Sequence, residues 1–223
     1  MCSTPQAVVT ALADAFTAAG GRILPAAVAG FDCQPHQVLA TLTRGRLRAR
    51  YVVIAAGLGS RALCRDLGCE PPLAAEMGYH LTFPGEQQRL AAPLAAAEDG
   101  FMVTPMADHL RLAGTVELAR RELAPTWQRA AMLRPLADRL FREPLPAAVG
   151  RWRGSRPTLP DYLPAIGGLP GHPRIIAAFG HQHMGLTTAA LTGTLVRDLV
   201  SGAPPALDLS PYAPGRFGRR SPG

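Results

Sequence analysis

The chain has 223 residues, 48% of them hydrophobic and 17% charged, enough to bury a substantial core in one large domain or two small ones. No apolar run reaches the ~20 residues of a membrane span. The net charge of +7 comes from Arg spread along the chain, with only Arg44, Arg46, Arg48 and Arg50 alternating, so the basic face with interleaved aromatics that nucleic-acid binding wants is missing.

The first residues, Met-Cys-Ser-Thr-Pro, carry no basic n-region and no signal-like apolar core, which makes a cytoplasmic location the expectation. The spacing of Val8, Leu12, Ala15, Phe16 and Ala19 predicts an amphipathic helix over 5–19. Ser3 or Thr4 can cap it, Pro5 suits its first turn, and Gly20-Gly21 stops it. Strands are predicted over 22–31 and 36–43, with a hairpin turn at Arg44-Gly45. Residues 51–57, YVVIAAG, read as a continuous apolar strand ending in glycine, of the kind that is central and covered on both faces. A short helix over 60–67 ends at Gly68. Cys2, Cys33, Cys64 and Cys69 form no CxxC and fit neither a zinc site nor a disulfide framework, so free, mostly buried thiols are expected.

Further strands are predicted over 77–83, 101–106, 109–118 and 149–157, and helix over 125–142 with a break near Pro135. A strand over 174–179 then runs into Gly180-His181-Gln182-His183-Met184-Gly185, which opens a helix over 186–200. Such a turn gathers free backbone N–H groups and the positive end of a helix dipole at one point, suited to an anionic or electron-rich group. His181 and His183 stand at i,i+2 without further ligands, so no metal site is expected. Ala189, Ala190 and Gly193 share one side of the last helix, where small side chains permit close approach to a sheet or cofactor. Gly202-Ala203-Pro204-Pro205 ends it.

Trp152-x-Gly154-x-Arg156-Pro157-x-x-Pro160-Asp161-x-x-Pro164-x-Ile166-Gly167, followed by Gly180-His181-x-His183-x-Gly185-Leu186-Thr187 and a helix, resembles the C-terminal part of the FAD-dependent D-amino-acid oxidase/dehydrogenase superfamily, bacterial D-amino-acid dehydrogenases in particular. The resemblance covers nearly the whole chain, and Gly114-Thr115-Val116-Glu117 is similar to a strand of the same enzymes. The fold it implies is α/β and α+β. Residues 1–75 would form the second half of an FAD-binding domain and 76–150 an antiparallel-sheet substrate domain. Residues 151–217 would return to the FAD domain, and 218–223 would be a tail. The strand–GxGxxG–helix unit that holds the ADP part of FAD in that family is not found, which reads as the C-terminal portion of a longer enzyme.

The activity implied is oxidative deamination of D-amino acids by hydride transfer to flavin, with the His-x-His turn nearer to enzymes of cyclic D-amino acids such as D-proline or D-hydroxyproline. The resemblance assigns FAD contacts to Val28, to Ala56 and Gly57, and to Gly180, His181, Gln182, His183, Met184, Gly185 and Leu186. It makes Arg156 the carboxylate clamp, a role that needs the guanidinium fork. The alternative for Arg156 is a structural pair with Asp161. Tyr79 and His80 would line the substrate pocket, whereas Met77 stands where the dehydrogenases carry an Arg. No side chain is assigned as an acid or base. Peripheral attachment at the inner membrane face also follows from the resemblance. The rival reading is a non-catalytic fragment or partner subunit, completed by a separate Rossmann-bearing chain.

Overall fold

The computed structural model describes residues 2–120 and 122–218. The expected tail over 218–223 therefore lies, apart from Gly218, outside the described residues. The chain divides into two compact units. One takes the chain up to Ile23 with Glu76–Ser155, and the other takes Leu24–Ala75 with the chain from Arg156 onward.

The first unit opens with α1 (Pro5–Ala18). Thr4 is its N-cap but makes no side-chain cap bond, and Pro5 sits at the start as expected. Its end is a Schellman closure: Gly21 N donates to Phe16 O and Gly20 N to Thr17 O, with Gly20 at φ +87°. The apolar stripe exists but buries nothing. Val8, Val9, Leu12 and Phe16 are 40–60% exposed.

The rest of this unit is a five-stranded antiparallel sheet, in the order β6-β7-β8-β5-β9. The strands are β5 (Ala74–Pro84), β6 (Leu94–Ala96), β7 (Phe101–Pro105), β8 (His109–Leu118) and β9 (Gly150–Thr158). All four strands expected in this region join the sheet, and β6 is added. One face carries Met77, Tyr79, Leu81, Phe83, Leu110, Leu112, Phe101 and Val103, each at most 7% exposed. Each large apolar side chain buried this way contributes about 1.5–3 kcal/mol. The expected long helix is instead two short ones, α3 (Gln128–Ala131) and α4 (Leu133–Asp138), packed on β8 through Ala130, Leu133 and Ala137. Arg134 fixes α4 by pairing with Asp138 and donating to Pro146 O at 2.6 Å.

A bulge at Thr115 (φ +57°) changes the phase of β8. Tyr79 faces Gly114, but its neighbour Gly78 faces Val116, so Thr115 is an extra residue. Before it, Leu110 and Leu112 point to the core. After it, Glu117 takes the core side and Val116 points out, 53% exposed.

The second unit holds two small sheets. β1 (Val28–Cys33), β2 (Val38–Leu42) and β3 (Arg46–Ala49) form an antiparallel meander. The predicted strand over 22–31 starts only at Val28, because Pro25 has no N–H to give a ladder. The other sheet has the order β10-β11-β4, from β4 (Val52–Ile54), β10 (Ala165–Leu169) and β11 (His172–Phe179). Its core is Ile54, Cys64, Leu73, Leu159, Leu169, Ile175, Ala177 and Phe179. The strand expected to be central is an edge strand among the described residues, and Val53 is 41% exposed. α2 (Ser60–Arg65) follows β4, and α5 (Gly185–Ser201) packs on β10 and β11 with Leu195 buried. Ala189, Ala190 and Gly193 face away from this packing and are exposed. The thiols divide evenly: Cys2 and Cys33 are exposed, Cys64 is buried and Cys69 half-buried, so burial is less general than expected.

Candidate functional site

β4 and β11 run parallel, with Val52, Val53 and Ile54 opposite Ile175, Ile176 and Ala177. Gly57 stands three residues past the end of β4, where it opens a 3-10 turn, and Gly180 directly follows the end of β11. The two have φ +57° and +83°, a region that glycine enters without steric cost. The carboxyl ends of adjacent parallel strands are where open α/β sheets bind ligands. Ala56 N donates to the buried Ser60 hydroxyl at 3.1 Å, which ties down the turn after β4. At Gly180 any Cβ would lie 2.7 Å from Leu159 Cδ1.

From Gly180 the chain makes a tight turn. His181 bridges Thr158, Gln182 N donates to Pro157 O at 3.1 Å, and Met184 N donates to His181 O at 2.9 Å. Gln182 adopts φ +52°. Met184 is the N-cap of α5, no side chain caps the helix, and its first turn has no acidic residue. The N–H groups of Gly185, Leu186 and Thr187 therefore lack helical acceptors at the positive end of a 17-residue helix. His181 Nε2 lies 3.0 Å from Thr192 Oγ1, pinning the turn to α5, and burial pushes its pKa down. His183 is exposed.

Beside the turn is a cavity of about 220 Å³, walled by Gln182 and Met184, by Thr188, Leu191 and Thr192 of α5, and by Ile166 and Tyr212. The amide nitrogen of Gln182 is buried there with no partner among the described residues. An apolar cavity with one uncommitted donor suits a mostly apolar ligand bearing an acceptor.

Arg156 lies in β9 and is half-buried. Among the described residues it makes no hydrogen bond and no ion pair. Asp161, its structural alternative, is held by Arg216: Nε reaches Oδ2 at 2.7 Å and Nη2 reaches Oδ1 at 3.1 Å. That fork holds the Asp161 carboxyl below the usual aspartate range. The Arg156 guanidinium thus keeps its bidentate face for another anion.

Tyr79 and His80 belong to the first unit and point to opposite faces of its sheet. Tyr79 is 1% exposed. Its hydroxyl donates to Glu117 Oε2 and accepts from Thr126 N at 3.1 Å, and Thr126 Oγ1 donates to Glu117 Oε1 at 2.8 Å. The Tyr79 bond, then the Thr126 bond, hold the Glu117 carboxyl below its usual range. His80 stacks on Trp152, with ring centroids 4.8 Å apart. Burial, then the charges of Arg111 and His109, bring its pKa down to about 4. Met77 is a core residue, 1% exposed. Val28 opens β1 opposite Leu42 beside a register shift, in a different sheet from Gly57 and Gly180.

The parallel pairing of β4 with β11 puts the segments that follow both strands at the same end of one sheet, and Val28 lies in another sheet. Ser60, Thr192 and Arg216 are supporting residues that the sequence reading did not pick out. Ser60, four residues after Ala56, is a readable turn-closing hydroxyl. The Asp161–Arg216 pair spans 55 residues and follows no spacing rule.

Residues 2–199 match the family model of the DAO FAD dependent oxidoreductases. The chain is 36% identical over 221 residues to a D-amino-acid oxidase of Bradyrhizobium diazoefficiens, covering 97% of this chain and 52% of that protein. It is 34% identical over 184 residues to a D-amino acid dehydrogenase of Paramagnetospirillum magneticum, covering 78% and 42%. Among solved structures, glycine oxidase from Geobacillus kaustophilus superposes with TM-score 0.81 at 25% identity, over 96% of this chain and 57% of that one. The chain spans about half the length of the relatives it matches. With a family model matched along most of its length and a relative at 36% identity, the chain belongs to the DAO family of FAD-dependent oxidoreductases.

Proposed function

We propose that this chain supplies the flavin-edge and substrate-clamping part of an FAD-dependent enzyme that oxidatively deaminates D-amino acids, with cyclic D-amino acids of the D-proline type as its preferred substrates. The observation that carries this reading is the pair of positive-φ glycines, Gly57 and Gly180, that follow the carboxyl ends of two parallel strands, the second leading into an uncapped helix. The names of the relatives, D-amino-acid oxidase and D-amino acid dehydrogenase, support the substrate class.

The residues present fit a flavin edge. The free N–H groups at the start of α5 and the unpartnered Gln182 amide offer donors to an acceptor-rich ring, with no acidic residue in the first turn to oppose it. Ala56, Gly57 and the 180–186 turn would hold the flavin, and Val28 would hold the adenine. When bound, FAD accepts the hydride that leaves the substrate Cα. Arg156 orients the substrate by pairing its carboxylate through two parallel hydrogen bonds, each worth about 1.5–3 kcal/mol. The positive end of α5 stabilises negative charge as it develops nearby. His80 would shape the pocket. Tyr79, buried on the core face with Glu117 and Thr126, is taken out of the pocket role that the resemblance implies.

One observation favours a second reading, in which a separate chain bearing a GxGxxG unit completes the FAD site. α1 buries none of its residues, and β4 keeps an open edge among the described residues. The purified chain, incubated with FAD, desalted and given D-proline without oxygen, separates the two. Retained flavin absorbance that bleaches supports the first reading. Flavin retained only with an added GxGxxG-bearing chain supports the second. Bound flavin that bleaches with no D-amino acid overturns the proposed substrate class.

A further inference from the structure

α2 ends in a closure that brings two thiols together. Cys69 N donates to Cys64 O at 3.0 Å and Gly68 N donates to Arg65 O at 2.9 Å, with Gly68 at φ +73°. This is the Schellman pattern, in which the residue after the left-handed glycine folds back and its side chain meets one from the last turn of the helix. Those two positions are held by Cys69 and Cys64. Cys64 is fully buried in the core of the second unit with Ile54, Leu73, Ile175 and Phe179. Cys69 packs against the same cluster and keeps part of its surface in solvent. Burial, then charge on Cys69, holds the Cys64 thiol up, so the two sulfurs lie within electrostatic reach.

An apolar contact at this place needs only two small hydrophobes, and two thiols add a chemistry that other apolar side chains lack. A disulfide requires Cα atoms roughly 4.4–6.8 Å apart. The direct backbone bond between Cys64 and Cys69 keeps the two residues within that reach. Their exposures divide the work: Cys69 is open to a small oxidant, and Cys64 is reached only from inside. Cys2 and Cys33 are exposed, and neither belongs to this core.

We propose that Cys64 and Cys69 form a redox pair that peroxide closes into an intramolecular disulfide, stapling the end of α2. The Cys69 sulfur attacks one peroxide oxygen, the O–O bond breaks, and a sulfenic acid and one water result. The Cys64 sulfur then attacks the sulfenic sulfur, the S–O bond breaks, and the hydroxyl leaves with the Cys64 proton as a second water. Together the thiols lose two electrons and two protons, and the peroxide takes them up. Burial keeps both thiols protonated, so closure is slower than at an ionised sensor thiol. The pair uses none of the residues assigned to flavin or substrate and does not rest on the proposed reaction.

Peptide mapping of the whole chain after exposure to hydrogen peroxide and alkylation of the remaining thiols tests this. Arg65 lies between the two cysteines, so trypsin without reductant separates them unless they are linked. The expected product is a Cys64–Cys69 cross-linked peptide, formed at a rate independent of protein concentration and removed by dithiothreitol. Cys69→Ser should leave Cys64 a free thiol over the same exposure, and Cys64→Ser should carry Cys69 on to the sulfinic acid. The bridged chain should unfold at a higher urea concentration than the reduced one, since the bridge follows the native closure. Cys64 still a free thiol in the unaltered chain overturns the proposal even if the variants fail to fold, whether Cys69 is then unreacted, a sulfinic acid, or linked to Cys2 or Cys33. So does a bridge that forms only in urea, or one that lowers the unfolding midpoint.

Discussion

The two units make their candidate recognition surfaces from different material. In the second unit the 180–186 turn is backbone: glycine at positive φ, free N–H groups and one buried amide. In the first unit the open sheet face is side chain: Arg111, His80 and Trp152 on a regular ladder. A surface made of backbone is broken by adding a Cβ, and one made of side chains by removing a group. Each unit also closes a carboxylate inside a neutral or cationic lock, Glu117 with Tyr79 and Thr126, and Asp161 with Arg216. Those polar groups hold structure. The guanidinium groups of Arg111 and Arg156 make no hydrogen bond or ion pair among the described residues.

The largest expected effect breaks the backbone surface. Gly180→Ala meets both a forbidden φ and the Leu159 side chain 2.7 Å away, and should lower stability by about 2–4 kcal/mol in urea unfolding. Gly57→Ala has the same backbone problem with no atom within 4 Å of the added Cβ, and should cost only about 1 kcal/mol. Equal costs would mean that the close packing at Gly180 is not rigid.

Asp161→Asn comes next. It removes one charge of the fork and should cost about 1 kcal/mol, because the pair is partly exposed and screened. The folded carboxyl titrates below the unfolded one, so this contribution is complete above the unfolded pKa and fades as pH falls through the folded value. Unfolding midpoints of both proteins from pH 7 to 2.5 should converge at the acid end.

A smaller effect sharpens the side-chain surface. His80 is held neutral, with its pKa near 4, whereas an unfolded His takes up its proton near 6.5. Stability contributed by the neutral ring is therefore complete above pH 6.5 and lost as pH falls toward 4. His80→Gln should flatten the stability profile across that window and leave its slope above pH 7 unchanged. The smallest effect is chemical. At pH 8 a thiol reagent should label Cys2 and Cys33 readily and leave Cys64 unlabelled, since burial and then Cys69 push its thiol up to about 12. Mass spectrometry of the modified peptides reads this out.

Much of the architecture was legible because period and punctuation agreed. The hydrophobic alternation of 109–118 gives a strand with the bounds found, His109–Leu118, and Gly20-Gly21 closes α1 as its glycines require. The edge position of β4 was not legible, because YVVIAAG has the apolar run of a covered strand and the chain alone does not announce its neighbours. Pro135 was readable as a break, but the helix divides earlier, at Met132 between α3 and α4. Of the site residues, the Gly180 turn could be read from glycine spacing. The surroundings of Arg111 could not, since one Arg in a strand carries no sign that its cross-strand neighbours are Thr82 and Thr104.

Thr115 acts as a parity switch. A strand presents odd and even positions to opposite faces, and one surplus residue exchanges the two sets from there onward. Were Thr115 paired in a regular ladder instead of standing outside it, β8 would keep one parity throughout and Glu117 would fall on the side of Arg111. Tyr79 would lose its acceptor, and Arg111 would acquire a carboxylate on its own face. One residue left out of the ladder thus decides on which face of the sheet the acid stands.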